Sequence, residues 1–379
     1  MESRTLVADE TGLRRWLQAT MAQRRVFAPC KEGEFIRLKV VSDAADVVLD
    51  FGITRNSPRE VFSPISEDIL AYRLEGRAVS FAPVELQPPE TLLFGIRACD
   101  AKSVAVTDKV FDEAGDKVDN FYALRRQNTV LAVLWCASMR PWCRCGSFGS
   151  PLEAAEAHAD ILVTPIGGAF TFDGLTEKGK ELLSQGDLLS PASEAQIAQR
   201  DATHRRTVDA AASQPPISAL AQDLDSLWEH PVWKEVAQRC LGCGICTYLC
   251  PTCTCFDILD ECPASLGRRY RCWDTCQFAD FTVHASGHNP RPDQAARLRQ
   301  RILHKFKYGP ELTGLIGCVG CGRCLELCPV AIRYTEILER LNSPEPVAAA
   351  SGEGEQRQAG SLHHNRNPEP VAASGEGER

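Results

Sequence analysis

Residues 240–251 are Cys-Leu-Gly-Cys-Gly-Ile-Cys-Thr-Tyr-Leu-Cys-Pro, and residues 318–329 repeat the pattern as Cys-Val-Gly-Cys-Gly-Arg-Cys-Leu-Glu-Leu-Cys-Pro. Both runs have the spacing C-x2-C-x2-C-x3-C-P. Three thiols at steps of three residues can surround one metal centre if the backbone between them passes close to the sulfur atoms. Glycine gives the backbone that freedom, and each run has two glycines between its first three cysteines. The pattern therefore predicts two thiolate metal sites in the C-terminal third of the chain.

Bacterial two-cluster ferredoxins use this spacing to hold two [4Fe–4S] clusters, and the fourth cysteine of each run binds the cluster of the other run. The predicted ligands of cluster 1 are Cys240, Cys243, Cys246 and Cys328. The predicted ligands of cluster 2 are Cys318, Cys321, Cys324 and Cys250. Disulfides or zinc are the alternatives. Disulfides are rare in chains without a secretory signal, and structural zinc usually takes two well-separated pairs of ligands, so the spacing favours iron–sulfur clusters.

The composition excludes several classes of function. The chain has 379 residues, a formal net charge of −8 and 44% hydrophobic residues. A negative net charge argues against nucleic-acid binding, which needs a basic face. No apolar signal segment and no uninterrupted run of about 18 apolar residues is visible, so we expect a cytoplasmic protein without a transmembrane segment. The 18 cysteines then indicate metal or redox chemistry, because cytoplasmic thiols stay reduced.

Two strongly apolar segments, Thr91 to Ile96 and Val130 to Trp135, predict buried strands that each lead into a segment with cysteines. Sites of α/β proteins lie at the carboxyl ends of such strands. The cysteines concerned are Cys99, Cys136, Cys143 and Cys145. We expect a third iron–sulfur cluster there, with an undetermined number of irons. The alternative is that the first two are small buried hydrophobic residues and the last two a loop pair of thiols.

These patterns predict an α+β or α/β N-terminal domain followed by a mostly α-helical two-cluster ferredoxin domain. The predicted parts are an α/β domain with an extra iron–sulfur site at 1–190, a helical linker at 191–227, a helical dicluster domain at 228–341 and a disordered repeat tail at 342–379. We also expect a helix near Glu67 to Arg73. Either Trp228 or Trp233 should pack against the helix that leads to Cys240.

Further stretches of the chain resemble one family: the β subunit of cytoplasmic sulfhydrogenases, which are bidirectional NiFe hydrogenases, and the related dicluster subunit of anaerobic sulfite reductase. The similar stretches are Phe94 to Asp100, the spacing of Cys136, Cys143 and Cys145, Cys240 through Cys255, Arg271 to Phe278, Gly287 to Arg291 and Cys318 to Pro329. The resemblance implies an iron–sulfur subunit that relays single electrons between a subunit binding flavin and NAD(P) and a catalytic subunit. The catalytic subunit would be that of a NiFe hydrogenase or of a sirohaem sulfite reductase.

We expect no flavin or nicotinamide site in this chain, because it has neither a G-x-G-x-x-G motif nor a Walker phosphate loop. The prediction is a non-catalytic electron-transfer subunit, with the hydrogenase favoured over the sulfite reductase. An alternative from another class is a self-contained enzyme that binds its substrate at an open iron, although four cysteines can be assigned to every cluster. The roles of Cys253, Cys255, Cys272 and Cys276 stay open between a further centre, a redox pair and packing.

Overall fold

The computed structural model describes residues 4–111 and 118–342 and contains two β-sheets. The strands are β1 Leu6–Asp9, β2 Arg25–Glu32, β3 Phe35–Val41, β4 Ser66–Glu75, β5 Ala78–Pro83, β6 Thr91–Ile96, β7 Thr129–Leu134, β8 Ile161–Ile166, β9 Ala169–Gly174, β10 Ser190–Pro191, β11 Phe256–Glu261 and β12 Leu266–Trp273. The large sheet has the order β10-β1-β9-β8-β7-β6-β2-β3, and the small sheet has the order β11-β12-β4-β5.

The centre of the large sheet consists of β6 and β7, whose residues are all buried. Strands β2, β6, β7 and β8 run parallel, and their neighbours at both sides are antiparallel. Continuous apolar strands are typical of parallel sheets that are covered on both faces. The predicted strands Thr91 to Ile96 and Val130 to Trp135 correspond to β6 and, with a shift of one residue, to β7.

Helices cover both faces of the large sheet, so the N-terminal part has the mixed α/β content expected from the sequence. The helices are α1 Glu10–Met21, α2 Arg59–Phe62, α3 Ala98–Phe111, α4 Asn120–Gln127, α5 Pro151–His158, α6 Glu177–Leu183, α7 Glu194–Ala212, α8 Leu224–Trp228, α9 Val232–Ala237, α10 Ile245–Tyr248, α11 Gln294–Leu303, α12 Gly309–Thr313, α13 Arg323–Glu326 and α14 Tyr334–Asn342. On one face Trp16 of α1 packs edge-on against Phe94 and Phe172. On the other face Val104 of α3 and Ala155 of α5 belong to a second apolar core.

The helix predicted near Glu67 to Arg73 is wrong, because this segment is strand β4. It pairs with β5 of the adjacent hairpin and with β12, which lies about 200 residues further along the chain. Glu67 is buried and accepts a hydrogen bond from Arg271 Nε at 2.6 Å. Since the hairpin of β11 and β12 lies between the two cysteine runs, the predicted mostly helical character of the C-terminal domain is not confirmed.

A separate apolar core holds the helices that flank the cysteine runs. Trp233 on α9 is 2% exposed, donates its Nε1 proton to Leu227 O at 2.7 Å, and packs among residues of α11 and α14. Trp228 is 39% exposed. Of the two tryptophans considered from the sequence, Trp233 is therefore the one that packs the helix leading to Cys240 into this core.

None of the helices within residues 4–111 and 118–342 is long and apolar enough to span a lipid bilayer. The predicted domain boundaries after residues 190, 227 and 341 stay predictions. Helix α7 occupies much of the predicted linker. Apart from Asn342, the predicted disordered tail at 342–379 lies outside the described residues.

Candidate metal centres

The first three cysteines of the first run and the last cysteine of the second run line one cavity, which we call site 1. The cysteines that line site 1 are Cys240, Cys243, Cys246 and Cys328, together with Cys324, which also lines a neighbouring cavity. Gly242 and Gly244 have φ angles of 64° and 72°, a conformation that costs other residues about 1–2 kcal/mol. The loop thereby turns around its own thiols, and α10 begins directly after Gly244.

The other four cysteines of the two runs line a second cavity, which we call site 2. The cysteines that line site 2 are Cys250, Cys318, Cys321 and Cys324. Gly320 and Gly322 repeat the backbone conformation of the first run with φ angles of 66° and 81°. Each predicted set of four cysteines thus lines one of the two cavities, and their assignment as cluster ligands stays a prediction.

Sites 1 and 2 share a wall. Cys324, Arg301 and Tyr334 line both cavities. Arg301 comes from α11, is 6% exposed, and donates a hydrogen bond from Nη2 to Cys246 O at 2.7 Å. The side chains between the two sites are therefore fixed by a packed helix and do not depend on a surface loop.

The four predicted cysteines of the N-terminal part line a third cavity, which we call site 3. The cysteines that line site 3 are Cys99, Cys136, Cys143 and Cys145. Cys99 follows β6 and Cys136 follows β7, so the parallel pairing of these strands brings both thiols to one edge of the sheet. Burial raises the pKa of the Cys99 and Cys136 thiols and raises the pKa of Cys145 to about 12. A bound metal ion would instead stabilise the thiolate forms.

Helix α7 fixes the loop that carries the last cysteines of site 3. Thr207 donates a hydrogen bond to Cys136 O at 2.8 Å, and Gln214, just after the helix, donates one to Cys143 O at 2.7 Å. A Cβ atom on Gly146 would lie 2.0 Å from Ala211 O, so this approach requires glycine. The segment predicted as a linker thus holds site 3 in position.

Sites 2 and 3 are joined through backbone and through a buried ion pair. Arg144 N donates to Gly320 O at 2.8 Å, and Gly320 lines both cavities. Arg323 and Asp100 are each 1% exposed and form hydrogen bonds of 2.6 and 3.2 Å. Asp100 directly follows Cys99, and Arg323 lies between two thiols of site 2. The positions of the two sites relative to each other are therefore fixed by main-chain contacts and by buried charge.

The buried cations around sites 1 and 2 indicate whether the residues there fit iron–sulfur clusters. Arg301 and Lys305 are each 6% exposed, and neither forms a salt bridge with a carboxylate in the described part of the chain. Lys305 Nζ donates to Thr252 Oγ1 at 2.9 Å and to Gly317 O at 2.7 Å. Burial alone would lower the pKa of Lys305, but the nearby cysteine thiolates raise it above its usual value. Buried cations need an anionic partner, which a cluster held by four thiolates supplies, so these residues fit such a group.

Four further cysteines between the runs, Cys253, Cys255, Cys272 and Cys276, do not line the cavities of sites 1, 2 or 3 in the described structure. Cys255 immediately precedes β11 and Cys276 follows β12, so the strand pairing brings both to the same end of the hairpin. Cys272 lies within β12, and Cys253 follows Cys250 closely, with a hydrogen bond from its N–H to Cys250 O at 3.3 Å. Their roles stay open.

The charged residues around the three sites were not predicted from the sequence. Arg301 and Lys305 are four residues apart, the spacing that places two residues on one face of a helix, but nothing in the sequence shows that this face is buried. No signal marked Arg323, which occupies a variable position of the cysteine motif, or its partner Asp100. Their pairing becomes visible only when the fold brings the two segments together.

Two comparisons with known proteins each found a match. Residues 239–332 match the family described as a 4Fe-4S dicluster domain. The fold and sites therefore define an iron–sulfur protein with a dicluster domain. Sulfhydrogenase 2 subunit beta of Pyrococcus furiosus is 28% identical over 319 residues, which cover 84% of this chain and 92% of that protein. This likeness supports the family resemblance found in the motifs and an iron–sulfur electron-transfer subunit. No solved structure matches the chain.

Proposed function

We propose that this chain relays single electrons between a subunit that binds flavin and NAD(P) and the catalytic subunit of a cytoplasmic NiFe hydrogenase. The observation that carries the proposal is the row of three cavities. Sites 1 and 2 share Arg301 and Cys324, and sites 2 and 3 share Gly320. When bound, [4Fe–4S] clusters supply one-electron chemistry. A row of such sites suits a carrier between a two-electron cofactor and a distant catalytic centre.

The protein's own residues would fix the order of the sites and exclude water from them. Cys250 and Cys321 of site 2 are 9% and 8% exposed, so the middle site lies inside the molecule. Arg323 joins the loop of site 2 to Asp100 beside site 3, and Arg140 donates to Cys321 O at 3.0 Å. Burial and fixed hydrogen bonds around thiolates are the means by which proteins tune reduction potentials.

We assign two [4Fe–4S] clusters to sites 1 and 2 and a third iron–sulfur cluster to site 3, with all twelve thiols as ligands. We assign no flavin or nicotinamide cofactor to this chain. Its partners are a reductase subunit with flavin and NAD(P), and a catalytic subunit. The hydrogenase is favoured over a sirohaem sulfite reductase because the Pyrococcus furiosus relative, which matches over 84% of this chain, is named as a sulfhydrogenase subunit.

Purification of the full chain under anaerobic conditions tests this proposal. The isolated protein should bleach in the visible range on reduction and show no turnover with hydrogen, sulfite or NAD(P)H. Robust catalysis by the chain alone would show that it is a self-contained enzyme. Proteins that co-purify from the native source identify the partner: a NiFe large subunit supports the hydrogenase, whereas a sirohaem subunit would replace it with a sulfite reductase.

A further inference from the structure

Three buried cations lie beside the thiols of the dicluster domain without a carboxylate partner in the described part of the chain. They are Arg59, Arg301 and Lys305, each 6% exposed. Arg59 lies over the ring of Trp273 at 3.8 Å and donates a hydrogen bond to Cys255 O at 3.0 Å. Hydrogen bonds to neutral groups satisfy the polar atoms of these cations but leave their charges uncompensated.

The three cations are distributed unequally between the two sites. Arg301 lines the cavities of both sites, whereas Lys305 lines only the cavity of site 2. Arg59 lines neither cavity and donates to the backbone of Cys255. Site 2 is thus lined by two unpaired cations and site 1 by one.

Local structure holds Lys305 at site 2. Residues His304–Tyr308 form a turn of π-helix directly after α11. In this turn Lys305 O accepts a hydrogen bond from Gly317 N at 2.9 Å, while Lys305 Nζ donates to Gly317 O at 2.7 Å. Gly317 precedes the first cysteine of the second run. The ammonium group is therefore tied to the same loop that presents the thiols of site 2.

Charge near a redox centre shifts its midpoint potential. Each cluster gains one negative charge on reduction, so a fixed cation favours the reduced form, and its effect is larger where water is excluded. Arg323 also lies beside site 2, but Asp100 neutralises it. Site 1 has fewer cations and more solvent, because Cys243 is exposed. Solvent and salt screen the effect of cations there, and the fixed charges at site 2 replace the water that stabilises added negative charge at site 1.

We infer that Arg301 is a counter-charge shared by sites 1 and 2, that Lys305 acts on site 2 alone, and that site 2 has the higher midpoint potential of the two. This inference rests on the proposed occupancy of both sites by [4Fe–4S] clusters. In this role the cations act through their charge and their position beside the clusters, and none of them contacts a substrate. An electron shared between the two sites would reside mainly at site 2.

The test is a redox titration of the full, cluster-loaded chain followed by electron paramagnetic resonance, with Cys321→Ser used to assign the signal that depends on site 2. Arg301→Gln should lower both midpoint potentials, and Lys305→Gln should lower only that of site 2. The expected change is about tenfold in the ratio of reduced to oxidised cluster at fixed potential, which is about 59 mV for one electron. Arg301→Lys keeps the charge and should restore both potentials. Arg299→Gln is the matched control, because Arg299 is on the same helix but donates to Trp228 O at 2.9 Å.

The outcomes separate this inference from the proposed function. Fewer than about eight irons per wild-type chain, or a single cluster signal, would refute the cluster assignment itself. With both clusters present, a higher potential at site 1 or an effect of Arg301→Gln on one signal only would overturn the inference. If Arg301→Gln does not retain both clusters, Lys305→Gln decides: equal shifts of both signals, or no shift, would contradict the assignment of Lys305 to site 2.

Discussion

A methyl group at Gly320 should separate sites 2 and 3. Gly320 has a φ angle of 66°, and a Cβ atom there would lie 2.2 Å from Arg144 O and 2.3 Å from Arg144 C. Both are backbone atoms, so rotation of a side chain cannot relieve the overlap. Gly320→Ala must therefore move the loop of site 2 away from the loop that carries Cys143 and Cys145.

Two free-energy costs add in Gly320→Ala. The left-handed backbone costs alanine about 1–2 kcal/mol, and overpacking typically adds about 1–3 kcal/mol, so the total is about 2–5 kcal/mol. Gly314 is a matched control, because it has a φ angle of 73° and a Cβ atom there would have no heavy atom within 4 Å. Gly314→Ala therefore bears the first cost only. The difference between the two variants isolates the contact between the loops.

The assay is iron content and thermal unfolding of the full, cluster-loaded chain. Gly320→Ala should lose the iron of site 3 and unfold at least about 2 °C below Gly314→Ala, given a shift of about 2–4 °C per kcal/mol for chains of this order of size. Equal iron content and equal unfolding temperatures in the two variants would refute the reasoning that this backbone contact joins the sites.

Three further predictions follow from single contacts. The wild-type chain should contain more than the roughly eight irons of two [4Fe–4S] clusters, and Cys143→Ser about eight, as measured by metal analysis; an unchanged value contradicts a cluster at site 3. Asp100→Asn leaves Arg323 buried without its acid and should reduce the free energy of unfolding by about 3–5 kcal/mol in a denaturant titration, whereas no loss would mean that the pair is not buried in solution. Burial lowers the pKa of His204, so the unfolded chain binds that proton first and stability falls as pH drops below about 6.5; His204→Gln should weaken this dependence in unfolding curves between about pH 5 and 8.

The parts of the fold that could be predicted are those with local causes. β6 and β7 are six-residue segments that are buried throughout, and their apolar composition shows this directly. Strand β4 has a mixed composition and is stabilised by β12, whose Arg271 lies 204 residues from Glu67. Strand β4 also pairs with β5 in a local hairpin, but its other partner is distant in the sequence, and the composition of β4 alone did not indicate a strand.

The same difference between local and distant causes applies to the candidate sites. Thiol spacing is local, so the motif alone predicted which cysteines the structure places around sites 1 and 2. The grouping of Cys99 with Cys145 required an assumption about the order of strands, which the parallel pairing of β6 and β7 supplies. The counter-charges could not be predicted, because whether Arg301 or Lys305 is buried depends on packing between α11 and both cysteine runs.

The two cysteine runs have one pattern but different surroundings, and the residues between the cysteines account for this. Arg323 in the second run occupies the position of Ile245 in the first, and only Arg323 can form the buried pair with Asp100. Val319 is 3% exposed, whereas its counterpart Leu241 is 66% exposed. The second run is therefore packed against the N-terminal part, whereas the first is a surface loop. Because the two runs have the same cysteine spacing, it is these intervening residues that bury the second run and leave the first exposed.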